Sequence, residues 1–309
     1  MNHMKEKLEE RAVALNQILE EQNTGIQLVY TKQFSHNREC EGYIVKKKEL
    51  AIAPVVYISP NIPDWWEGSD QEVAEKLQEF SKIEPMDGLE DFIHHKIDRQ
   101  YLLDHVYFAL VSGQKYEQMV NNDLLLDRWC DLAVKYSVSL PNFSEDAQGS
   151  IRVSNQMMET YDIEKEELIG ACIRNMEQEV AMMSLKEQMA ELLGMDTSEM
   201  PDFGEEERVL PEITVITNKS LLDGAGSILL PSVQKRLERK YGSCFAVLPS
   251  SRHEVLIAPL TDGVQEAIFY QKMVKEVNET QVEPEDFLSD HVYVYRNGNF
   301  TTVSEHCIF

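Results

Sequence analysis

The sharpest folding instruction in this chain is Asn297-Gly298, set between alternating runs at residues 291–295 and 299–303. A two-residue hairpin turn needs positive φ at both central positions, and Asn followed by Gly supplies it at least cost. An antiparallel strand pair is therefore expected at the C-terminal end. A second pair is expected at residues 244–248 and 254–259, joined through Pro249-Ser250-Ser251-Arg252. Further strands are read at 26–30, 43–45, 51–59, 104–111, 129–140, 151–153 and 212–217.

Between these lie helical patterns at 4–22, 70–82, 89–97, 164–193 (in two pieces), 225–241 and 264–278. Leu8, Ala12, Leu15 and Leu19 fall on one face of the first, and Ser69 or Asp70 caps the second. Strands and helices do not alternate regularly. That implies an α+β fold with mixed or antiparallel sheets and flanking helices, and a helical, Met-rich middle segment. The reading divides the chain into an N-terminal α+β lobe at 1–141, an acidic helical segment and linker at 150–208, and a C-terminal α+β lobe at 209–309.

Charge excludes some partners. The 309 residues carry 54 Asp and Glu against 29 Lys and Arg, a formal charge of -25. Such a surface repels nucleic acid and anionic membranes unless a basic patch survives locally, and Lys46-Lys47-Lys48 is too short to provide one. No apolar run is long enough to span a bilayer, and no secretory signal opens the chain. Five widely spaced cysteines without a Cys-x-x-Cys pair fit reduced thiols in a cytoplasm. No cofactor is expected, because Gly224-Ala-Gly226 lacks the third glycine of a dinucleotide fingerprint.

Three constellations have chemical potential. Ser250, His253 and Glu254 lie at a strand-turn-strand and Asp290-His291 opens another strand, so a nucleophile, imidazole and carboxylate could assemble for hydrolysis or hold a metal. Hairpin-end hydrogen bonding explains the same residues more economically. Glu90, His94 and Asp98 recur every fourth residue and could meet a divalent ion from one helix face, although a solvated face has the same pattern. Trp65-Trp66 could grip a ligand or partner if exposed.

The middle segment combines two further features. Residues 159–208 hold 15 acidic and 4 basic side chains, and eight of the 13 methionines fall between 157 and 200. Met176, Val180 and Met183 keep helical spacing with Ile169 and Ile173, which favours core filling. Met182 and Met183 are alternatively adaptable docking contacts for a protein partner.

Several words resemble a known family. Leu248-Pro-Ser-Ser-Arg-His-Glu-Val255, Val277-Asn-Glu-Thr-Gln-Val282 and Leu288-Ser-Asp-His-Val-Tyr293 are similar to an uncharacterised domain-of-unknown-function family of anaerobic Gram-positive gut bacteria. Trp129-Cys-Asp-Leu-Ala-Val134 and residues 213–218 fit the same pattern, and the likeness runs from about 26 to 303. The resemblance implies a cytoplasmic protein of unassigned role. It marks Ser250, His253, Glu254, Asn278, Thr280, Asp290 and His291 as polar positions to test. The function expected is a non-enzymatic protein-binding or regulatory module, the alternative being a small-molecule hydrolase or metal-dependent enzyme built on the C-terminal Ser, His, Glu and Asp residues.

Overall fold

The computed structural model describes residues 2–35, 38–47, 53–59, 62–81, 92, 96–120, 123–141, 149–197, 213–261 and 263–303. The chain forms two compact units, residues 1–98 with 141–149, and residues 99–140 with 150–309. Helices and antiparallel sheets make it α+β, as the irregular order of patterns implied. Among the described residues no helix is long and apolar enough to cross a membrane.

The first unit builds a helix pair on a three-stranded sheet. Helix α1 (Asn2–Glu21) ends before Asn23 and Gly25, both at positive φ. Strands β1 (Ile26–Ser35) and β2 (Arg38–Lys47) pair along their full length, and β3 (Val55–Ser59) pairs with β2. Helix α2 (Asp70–Ser81) starts with a reciprocal cap, in which Ser69 N–H donates to Glu72 and Glu72 N–H donates to Ser69 Oγ. Leu8, Leu15 and Leu19 of α1 join Tyr43, Ile58, Val73 and Leu77 in one core.

Trp66 belongs to that core, at 2% exposure. Arg11 lies 4.2 Å above its ring, donates to the carbonyls of Trp66 and Gly68, and pairs with Asp70. Trp65 is half-buried against Phe80. The indoles are therefore not an exposed pair: the two rings pack against the core of α1 and α2 after β3, where burial of their apolar area favours them.

The second unit has two sheets. Helix α3 (Arg99–His105) leads into β4 (Val106–Ser112), and a one-turn 3-10 helix with α4 (Tyr116–Val120) follows. Strands β5 (Leu126–Trp129) and β6 (Leu132–Ser139) form a hairpin, and β7 (Ser150–Arg152) pairs with β6. The strand read at 129–140 is thus β6 at 132–139, while Trp129 ends β5 and Cys130 turns the chain at φ 52. Burial of β6 on both faces explains why its apolar alternation is poor.

Helices α5 (Asn155–Thr160) and α6 (Lys165–Glu177) precede β8 (Val180–Ser184) and α7 (Leu185–Leu193). Here the all-helical reading of 164–193 fails. Val180, Met182 and Met183 sit on a strand, because β9 (Thr214–Asn218) offers β8 a full antiparallel ladder. Ser184 and Glu187 then exchange hydrogen bonds that restart the helix.

Beyond β9, Gly224–Leu229 is a buried 3-10 segment, and α8 (Pro231–Tyr241) begins at Pro231. The continuous helix read at 225–241 is broken there because proline suits a first helical turn and not an interior one. Strands β10 (Cys244–Ser251) and β11 (Glu254–Pro259), helix α9 (Val264–Thr280), and the hairpin β12 (Tyr293–Arg296) with β13 (Asn299–Thr302) complete the unit. Asn297 and Gly298 adopt φ 49 and 89, as their turn demands.

The six-stranded sheet runs β13-β12-β10-β11-β9-β8, leaving β8 at an edge. Ala246, Leu248 and Val294 on one face meet Ala267, Tyr270 and Val274 of α9. The opposite face carries Phe245 and Tyr293. There Tyr293 packs against Trp129 of the smaller sheet, ring centroids 4.9 Å apart.

Candidate functional site

The turn between β10 and β11 gathers Arg252 and His253 with Asp223, Asp286 and Lys135. Its backbone is fixed first: Thr217 Oγ1 donates to His253 O at 2.8 Å, and Arg252 N–H donates to Asp286 O at 2.8 Å. Asp223, at φ 55, gives its backbone N–H to His253 Nδ1 at 3.2 Å, and His253 Nε2 lies 3.1 Å from Asp286 Oδ1. A neutral ring with its proton on Nε2 satisfies both contacts. Both nitrogens thereby have partners within the fold.

Arg252 bridges the two carboxylates, through Nε to Asp286 at 2.9 Å and Nη1 to Asp223 at 3.1 Å. Lys135 of β6 approaches the other Asp223 oxygen at 3.9 Å. Burial lowers the Lys135 pKa, Asp223 opposes that, and Arg152 and Arg252 add to the lowering. Gly224 has to be glycine, since a Cβ there would sit 2.5 Å from Thr217 Oγ1 and 2.6 Å from His253 O. Gly224 and Gly226 both serve close packing, with Gly226 pressed on Phe108 and Ala109.

His291 belongs to a different cluster. Asp131, at the tip of the β5–β6 hairpin, accepts from Ser289 Oγ at 2.7 Å and Tyr293 OH at 2.7 Å, and lies 3.0 Å from His291 Nδ1. Burial raises the Asp131 pKa, but the bonds from Ser289, His291 and Tyr293 outweigh it and hold the carboxyl below its ordinary value. Burial pushes the Tyr293 phenol up, with Asp131 adding to the effect. A serine hydrolase needs imidazole to take the serine proton while the carboxylate orients its far nitrogen. Here Ser289 and His291 Nδ1 meet the same Asp131 oxygen, which describes a held carboxylate and not an activated nucleophile.

The other expected residues have separate partners. Glu254 accepts from Gln188 of α7, and Asn278 donates to Ser289 O and to Asp290 Oδ1. Thr280 caps the carbonyl of Glu276 within its own helix, and Ser250 sits in a β-bulge between Pro249 and Ser251. Glu90 and His94 lie outside the described residues, and Asp98 is exposed just before α3. Among the described residues no three His, Cys, Asp or Glu side chains gather to hold a metal. Sequence reasoning missed Asp131, Lys135, Asp223, Asp286 and Ser289. Asp131 lies 160 positions from His291 and Lys135 lies 88 from Asp223, so no local signal could have paired them.

An open groove of about 420 Å³ runs between edge strand β8 and helix α8. Met182, Met183, Ser184, Glu187, Thr214, Arg236 and Lys240 line it. Both methionines are half-buried, and Lys240 Nζ donates to Thr214 Oγ1 at 2.9 Å. The first unit carries a separate hollow of about 860 Å³ between the end of α1 and β1–β2, lined by Asn16, Glu20, Lys46 and Lys47 among others.

A family described only as a family of unknown function (DUF5688) matches residues 3–297. No curated protein and no solved structure matches the chain.

Proposed function

The chain belongs to this family of unknown function, which lends it no activity, and from its geometry we propose that it is a non-enzymatic protein-binding module whose contact surface includes the groove beside Met182 and Met183. The observation that carries this reading is the groove itself. Two adaptable thioethers line a cleft beside a strand whose outer edge has no partner strand among the described residues. Ser250, His253, Glu254, Asp290 and His291 support a hydrolase or metal enzyme less well, since their partners are Asp223 and Asp286, Gln188, Asn278 and Asp131 in separate places. A cytoplasmic setting is part of the proposal, and Cys130, Cys172 and Cys244 are free thiols.

A photo-cross-linking residue placed at Met182 tests the reading in the source cells. Discrete adducts of defined mass should form there, and not from the same residue at exposed Phe269 on α9. The absence of any adduct specific to position 182 would overturn it.

A further inference from the structure

Helix α8 is out of character with the rest of the chain. Where acidic residues outnumber basic ones by 54 to 29, this helix places Lys235, Arg236, Arg239 and Lys240 within six positions. All four are exposed. Among the described residues, none of Lys235, Arg236 and Arg239 has an ion-pair partner, and Glu238 accepts from the Tyr295 hydroxyl at 2.5 Å. Favourable interaction with the helix dipole accounts for Arg239 and Lys240 in the last turn, but not for Lys235 and Arg236 one turn earlier. Like charges four residues apart destabilise a helix, so the Lys235–Arg239 and Arg236–Lys240 pairs are not explained by helix stability.

Their placement suggests a use. Arg236 and Lys240 line the groove with Met182 and Met183, and Lys235 and Arg239 form a parallel stripe beside them. We propose that this groove receives an acidic polypeptide segment bearing large apolar side chains. Its carboxylates meet the guanidinium of Arg236 and the flanking cations, and its apolar groups lie on the thioethers. The inference rests on the protein-binding reading and adds the partner's chemistry to it.

Charge complementarity selects this occupant. Arginine forms its strongest hydrogen bonds with carboxylates or phosphates, so an anionic partner is required. A nucleic acid extends its phosphates well past a patch of four cations and would meet the remaining negative surface. A short acidic segment stays within the patch, where the distant charges are screened beyond about 10 Å at 0.1 M salt. Methionine surfaces also suit apolar side chains better than phosphates.

Fluorescence anisotropy with three labelled probes tests the proposal on the full-length protein: a short peptide alternating Glu and Leu, its Gln-for-Glu analogue, and a single-stranded oligonucleotide. The Glu peptide should bind, more weakly as salt rises. Its Kd should rise at least about tenfold in a Lys235→Glu/Arg236→Glu/Arg239→Glu variant, a loss of about 1.4 kcal/mol. Unchanged circular dichroism would show that the variant folds, and the salt series on the unmodified protein reads the same electrostatics if it does not. Equal binding of the Gln analogue overturns the acidic-partner inference but leaves the protein-binding reading standing. Binding of the oligonucleotide alone overturns the inference in favour of a phosphate polymer. Binding of no probe overturns it also, and leaves the cross-linking at Met182 to decide the broader reading.

Discussion

Asp131 is a carboxylate held in place by its neighbours. Three donors converge on it, which is the opposite of a carboxylate poised to accept a proton. Its folded pKa lies below the ordinary value, so its contribution is present above the unfolded pKa of about 3.9 and is lost as pH falls through the folded value. Asp131→Asn should therefore cost about 1–3 kcal/mol at neutral pH, with the deficit shrinking below pH of about 3. Urea denaturation at both pH values checks this, and an equal deficit at each would show that the ionised form is not what the cluster stabilises. The sequence named His253, Glu254, Asp290 and His291, but their acceptors and donors come from Asp131, Gln188, Asn278 and Asp286. Nothing local links those positions.

At the scale of elements, turn, cap and hairpin chemistry was legible, and pairing between strands distant along the chain was not. Asn297-Gly298 and the Ser69–Glu72 cap act through covalent geometry and neighbours within four residues, so the residues themselves specify the outcome. Val180–Ser184 carries an ambiguous apolar run after a helix, and β9, with partners 30 to 38 positions away, decides that it is a strand. The segment at Gly224–Leu229 is likewise set by what surrounds it. Thr217, His253 and Asn218 leave no space for a side chain at Gly224. Gly224→Ala should lower stability by about 1–3 kcal/mol through overpacking. Thermal unfolding measures this, and an unchanged Tm would mean that the β10–β11 turn yields more easily than its hydrogen bonds suggest.

For the whole molecule, the governing quantity is charge. At -25, self-repulsion opposes the compact state and salt screens it. Raising ionic strength from about 0.02 M to about 0.2 M should therefore raise Tm, with sodium chloride and a neutral osmolyte compared by calorimetry. A flat response would place most of the carboxylates in locally compensated pairs. The sequence by itself determined the α+β class, the C-terminal hairpins, the helix caps and the polyanionic character, because each depends on composition or on contacts a few residues long. Only the tertiary structure decided that Met182 and Met183 lie on an edge strand, that Lys135 meets Asp223, that His253 and His291 sit in separate clusters, and that Arg236 and Lys240 of α8 line an open groove. Those facts come from pairings between segments distant along the chain, and periodicity has no information about which strand finds which.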